Sequence, residues 1–157
     1  MPEFNDSEGR SWNVRVTVST VRAVRDALDV DLMEAVEGKL LDRLSSDPVL
    51  LVDVLYVVCR TEADGRGVTD MQFGEAMAGD AIEHATMAFL EAIVDFFPNP
   101  RDRQNMRKVM AATFKAMDKA RDLIENRLAS GELERAADAA VRQIVGKPSS
   151  NTQASQE

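Results

Sequence analysis

Histidine and cysteine are almost absent from this chain: 157 residues hold one His, His84, and one Cys, Cys59. A single cysteine closes no disulfide within the chain, so nothing in the sequence asks for an oxidising compartment. A single histidine excludes a paired-His zinc site and leaves little for imidazole acid–base chemistry. Long apolar runs are missing too. The longest, Val49 to Cys59, is interrupted by Asp53 and is far shorter than the ~20 residues of a membrane-spanning helix. Positive charge is in deficit, with 19 Lys and Arg against 27 Asp and Glu and a net charge of −8. Neutralising phosphates needs the opposite balance, so nucleic acid is not the expected partner. The first ten residues are polar and acidic, without the basic and apolar stretches of a secretory signal. The sequence therefore points to a cytoplasmic location, the protein's own cell or a host's, and to no membrane contact. What remains, 45% apolar and 29% charged residues, suits a soluble protein of one domain.

Hydrophobic spacing predicts a mainly α fold, a helical domain with a short N-terminal β-strand or hairpin element. Residues 1–10 read as a frayed polar lead, 11–145 as a single domain, and 146–157 as a disordered tail without an apolar anchor. From Trp12, Val14, Val16 and Val18 alternate with Arg15, Thr17 and Ser19, which predicts a strand. A lone strand must be paired, either by the stretch around Phe4 in a local hairpin or by a strand of another chain. Helices are predicted from Ser19 or Thr20 to Leu28 and over Asp31–Leu44. Asp47-Pro48 then starts a buried helix through Cys59. Residues 61–68 read as a turn-rich loop, and Thr69 with Gln72 as a capping box. Further helices are expected over 81–97, from Arg101 to Ala129, and from Glu132 to Val145, the last with Leu133, Ala136, Ala137, Ala140, Val141 and Ile144 as its apolar stripe, and with Pro98-Asn99-Pro100 and Ser130-Gly131 as breaks.

Two features of this outline suggest binding. Residues 1–100 hold 8 basic and 19 acidic side chains, a net of −11, whereas 101–157 hold 11 and 8, a net of +3. On the long helix, Met106, Met110, Thr113, Phe114, Met117, Ile124 and Leu128 fall on one side, and Arg101, Lys108, Lys115 and Lys119 in a narrow arc on the other. Those four cations form either a partner-binding rim or a solvated face that balances the fold. Met71, Met77, Met87, Met106, Met110 and Met117 crowd into under a third of the chain. Methionine adapts to varied shapes, so they suit a variable partner, or they fill gaps in an ordinary core. Val14, Val16 and Val18 are the candidate edge for a partner strand.

The chemical candidates are poor. From Asp64, an EF-hand loop needs oxygen ligands at positions 3 and 5 and glycine at 6; Arg66, Val68 and Thr69 stand there instead. Gly65-Arg-Gly67 is too short to cradle a phosphate, and no Gly-Lys-Ser/Thr follows. His84 beside Glu83 reads as a surface residue. Cys59 reads as a buried inert thiol, with no local base to lower its pKa. Carboxylate pairs such as Asp26 with Asp29, or Asp53 with Asp95, arise from helical spacing alone. No nucleophile–base constellation stands out, so no catalytic residue, cofactor or metal ligand is assigned.

The order of segments resembles the small assembly chaperones encoded in tail gene clusters of long-tailed bacteriophages. The resemblance is carried by Trp12-Asn-Val-Arg-Val-Thr-Val leading into helices, by Asp47-Pro-Val-Leu-Leu-Val-Asp-Val-Leu-Tyr-Val-Val-Cys, by Val68-Thr-Asp-Met-Gln-Phe-Gly-Glu-Ala-Met, and by an apolar helix ending in Phe96-Phe97. It covers residues 12–100 and rests on residue type rather than invariant chemistry. It implies a non-enzymatic protein that binds the tape measure protein, or other tail proteins, and keeps it soluble while tube subunits polymerise. It carries no catalytic residues. A structural tail-completion or connector subunit, and an enzyme with a carboxylate-based metal site, are the alternatives. The lone strand and the divided charge also leave room for a homo-oligomer.

Overall fold

One buried carboxylate organises the N-terminus. Asp6 accepts hydrogen bonds from the backbone N–H of Glu8 (3.0 Å) and Arg10 (2.9 Å), from Arg10 Nε (2.7 Å) and from Trp12 Nε1 (2.8 Å). These bonds close the loop between β1 (Glu3–Asn5) and β2 (Ser11–Asn13), which pair antiparallel with Phe4 opposite Trp12. The lead expected to fray is thus an ordered strand, because Phe4 and Trp12 are both buried and Asp6 satisfies the turn that joins them. The computed structural model describes residues 1–146; the expected disordered tail from Lys147 lies outside the described residues.

Period-two burial continues after β2, since Trp12, Val14 and Val16 are buried and Asn13 and Arg15 exposed. The strand itself ends at Asn13. Thr17 then caps α1 (Val18–Leu28) in a capping box with Thr20, so Val18, expected as the last inward strand residue, opens a helix and is exposed. Side chains of α3 (Pro48–Arg66) close the outer edge of β2. Arg66 donates to the Ser11 carbonyl (2.7 Å), the Asn13 N–H donates to Glu62 (3.0 Å), and the Cys59 thiol lies 3.8 Å from the Asn13 carbonyl. A partner strand finds that edge already engaged. The pairing of the strand is within the chain, with the stretch around Phe4.

Two predicted boundaries move. The helix expected over Asp31–Leu44 is a 3-10 helix (Leu32–Glu37) followed by α2 (Lys39–Ser46). Gly38 between them has φ 79, a left-handed conformation that breaks the helix and that glycine adopts most easily. In the opposite sense, the expected loop 61–68 is largely the last turns of α3. Glu62 and Arg66 pair across one turn at 2.6 Å while holding β2, and Gly67, at φ 67, ends the helix. Gly65 costs about 1 kcal/mol inside a helix, and tertiary use of its neighbours outweighs it.

The remaining elements fall where the sequence places them. They are α4 (Asp70–Glu75), with the Thr69–Gln72 capping box present, α5 (Asp80–Phe96), α6 (Pro100–Ala129) and α7 (Glu132–Val145). The fold is mainly α with a short N-terminal hairpin. Where the sequence suggests one domain over 11–145, the chain divides into two compact units at Met110. In the first, α3 packs against α1, α2, α4, α5 and β2, and β1 lies against α5. Its core joins Phe4, Trp12 and Val14 to Val24, Leu55, Phe73, Phe89, Ile93 and Met106. Trp12 meets Phe73 edge-on at 5.0 Å and carries the Arg66 guanidinium 4.9 Å from its ring centre. The second unit, described from Ala111 to Gly146, has no such core: apart from Phe114 and Gly131 its residues are exposed.

The Asp6 cluster sets a pH dependence. Burial raises the Asp6 pKa, but hydrogen bonds from Trp12 and Arg10 outweigh it and hold the carboxyl below its ordinary value. A group depressed in this way stabilises the fold above its unfolded pKa, near 4, and that contribution fades as pH falls through the folded value. Asp6→Asn is expected to cost roughly 1.5–3 kcal/mol at neutral pH, as for hydrogen bonds to a charged group. The gap between variant and parent should narrow as pH falls below about 4, which denaturant unfolding at a series of pH values measures.

Candidate functional site

The sequence-predicted residues separate into a buried set and an exposed set. Val14 and Val16 belong to the core of the first unit and serve its packing. Val18 is exposed on the first turn of α1. Met106 is also in that core, 2% exposed, and Met110 is half-buried against it. Along α6 the same stripe then becomes solvent-facing: Phe114 is half-buried, and Met117, Ile124 and Leu128 are 45%, 57% and 60% exposed. Arg101, Lys108, Lys115 and Lys119 are exposed on the opposite arc. The methionines do not form one surface. Met77 is partly buried, while Met71, Met87 and Met117 are exposed on α4, α5 and α6 respectively.

The exposed stripe of α6 follows from its sequence. Met110, Met117 and Ile124 recur every seven residues, with Thr113 and Ala120 between them. This is the alternating three- and four-residue spacing with which helices pair. The start of the helix is fixed locally. The Asn99 side chain accepts from the Arg101 N–H at 2.9 Å, and Arg103 donates to the carbonyls of Phe97 (2.7 Å) and Pro98 (2.9 Å).

α7 goes further. Leu133, Val141 and Ile144, the stripe by which the sequence would seat it on a domain, are exposed, and none of its residues, all of them described, is buried. Leu123 and Val145 extend the exposed set. Sequence periodicity reads the stripe residues of α6 and α7, though not Leu123 or Val145, as core-facing, because an amphipathic stripe looks the same whether its cover comes from the same chain or another. Leu123 lies about 100° round the helix from Ile124 and so falls off the stripe altogether.

Chemistry elsewhere is limited. Among the described residues no group of three or more His, Cys, Asp and Glu is placed to hold a metal ion. Asp95, one of the paired-carboxylate candidates, makes an ion pair with Arg107 at 3.6 Å. The segment read against the calcium-loop pattern is divided between the end of α3 and α4. Burial, reinforced by the nearby Glu62 carboxylate and opposed by Arg66, pushes the Cys59 thiol up to about 12. Cys59 is therefore expected to react with a thiol reagent such as DTNB far more slowly in the native protein than in denaturant. Among the described residues no helix is long and apolar enough to cross a membrane.

No protein-family model, curated protein or solved structure matches the chain. The fold presents exposed apolar side chains on α6 and α7 among charges of both signs.

Proposed function

We propose that the protein is a non-enzymatic tail assembly chaperone of a long-tailed bacteriophage, working in the host cytoplasm. It binds a helical tape measure protein and keeps it soluble while the tail is built. The observation that carries the proposal is the exposure of eight large apolar side chains from Met117 to Val145, on α6 and α7, in a unit whose residues are exposed apart from Phe114 and Gly131. An apolar surface of this kind on a soluble protein marks a site for another molecule. Helical seams take helical partners, which offer the same three- and four-residue spacing. The resemblance of residues 12–100 supplies the class of protein, and the exposed face lies beyond that stretch. In the mechanism, Met117, Ile124 and Leu128 cover an apolar stripe of the client that would otherwise aggregate. Lys115 and Lys119, on the opposite arc of α6, keep the covered helix hydrated.

Co-expression with the long helical protein encoded beside it tests the proposal. A soluble complex recovered by pull-down is the expected result. A client that stays insoluble, with no complex formed, contradicts it. Recovery of the chain from purified particles would instead favour a structural tail subunit.

A further inference from the structure

We infer that two copies of this chain associate through opposite charges, the basic arc of α6 in each meeting the acidic, exposed side of α5 in the other. The inference does not depend on the client, because the arc lies opposite the Met117–Leu128 stripe of the same helix.

Charge in this part of the chain is segregated rather than mixed. Residues 67–100 hold six acidic side chains and no Lys or Arg, a net of −6, whereas 101–121 hold seven basic and two acidic, a net of +5. On α5, Asp80, Glu83, Glu91 and Asp95 are all exposed and fall within about 120° of the helix surface. On α6, Arg101, Lys108, Lys115 and Lys119 are exposed within about 40°. The fold leaves most of this charge uncompensated. Asp95 pairs with Arg107 at 3.6 Å, but among the described residues Asp80, Glu91 and the four cations of the arc make no ion pair. Lys115 and Lys119, one turn apart, repel each other, and opposite charge from another molecule removes that cost.

The two blocks select the partner. A nucleic acid is attracted to the arc and repelled by α5, and a basic protein is attracted to α5 and repelled by the arc. A second copy carries both blocks, and a two-fold contact, being self-complementary, uses each of them twice. The rows also match in length. α5 has 17 residues and the arc runs from 101 to 119, about 25 Å and about 27 Å at the helical rise per residue. Exposed ion pairs are individually weak, so the association needs several at once and is sensitive to salt.

Analytical ultracentrifugation of the purified full-length chain, without client, in about 20 mM and about 500 mM NaCl tests the inference, because salt shortens the reach of exposed charges several-fold over that range. The expected result is a species of twice the 17.3 kDa chain mass at the lower salt and of single-chain mass at the higher. Reversing the arc (Lys108→Glu, Lys115→Glu, Lys119→Glu) or the α5 face (Asp80→Lys, Glu91→Lys) should each give single chains at the lower salt. An equimolar mixture of the two reversed chains should pair again, since one is then acidic and the other basic on both faces. Circular dichroism and emission of the buried Trp12 verify that each variant is folded. For a reversed chain that is not, the neutral variants Lys108→Gln, Lys115→Gln and Asp80→Asn, Glu91→Asn repeat the comparison, with association at least tenfold weaker than in the parent as the expected result and unchanged association as the contrary one. A wild-type chain of single mass at the lower salt overturns the inference. So does a two-chain species that survives the higher salt, a reversed chain that still pairs with itself, or a mixture of folded reversed chains that stays single.

Discussion

Replacing Trp12 with alanine is expected to lower the stability of the first unit by about 3–5 kcal/mol, the range for removing a large buried aromatic side chain. That is a large part of the ~5–15 kcal/mol that holds a typical domain together. Trp12 is fully buried and joins three otherwise separate features. Its ring meets Phe73 of α4, its face receives Arg66 from the end of α3, and its Nε1–H donates to Asp6 in the hairpin loop. Removing it therefore opens a cavity and takes one donor from a buried carboxylate. Trp12→Phe keeps most of the ring but not the donor, and should cost less, about 1.5–3 kcal/mol for a lost bond to a charged acceptor. Thermal unfolding followed by far-ultraviolet circular dichroism, which does not depend on the tryptophan, should show a fall of roughly 10 °C or more for the alanine variant. Equal stability of parent and Trp12→Ala would mean that the hairpin does not support the helices.

The second large effect is functional. In the double variant Ile124→Glu, Leu128→Glu, solubilisation of the proposed tape measure client should be lost, with complex yield falling at least tenfold. Two buried apolar contacts replaced by carboxylates account for more than the roughly 1.4 kcal/mol that a tenfold change requires. Both side chains are more than half exposed, so the variant should unfold with a midpoint close to that of the parent. This separation distinguishes a binding face from a core. Co-expression yield and the thermal midpoint, measured side by side, check it.

Most helices were legible from local signals. Asp47-Pro48, the Thr69–Gln72 box, Pro98-Asn99-Pro100 and Ser130-Gly131 are punctuation written in adjacent residues, and the structure follows them. The errors share a cause, which is distance along the chain. Asp6 looks like one more polar residue of a loose lead until Trp12, six residues on, is seen to donate to it. The strand read through Val18 stops at Asn13 because β1 pairs only through Glu3–Asn5 and Thr17 already caps a helix, while Glu62, Cys59 and Arg66, some fifty residues away, engage its outer edge. The same distant use carries α3 through Gly65. Gly38 is the exception, a local break with a local signal, hidden by the apolar period on either side. For the candidate site, periodicity located the Met106–Leu128 stripe but not the point at which it leaves the core. Composition is silent on that point, because a methionine at position 106 and one at 117 look alike in sequence. Tertiary packing makes one a core residue and the other a surface residue.

The central claim is that the partner is received on α6 and α7 rather than on the first unit. A photo-cross-linking residue introduced singly at Ile124, Ile144, Val49 or Met71 tests it most directly, in chains co-expressed with the tape measure protein. All four positions are exposed, so accessibility does not bias the comparison. Cross-links to the client from positions 124 and 144, with none from 49 and 71, are the expected result. Cross-links from 49 or 71 alone, or from no position in a complex that does form, would contradict the claim.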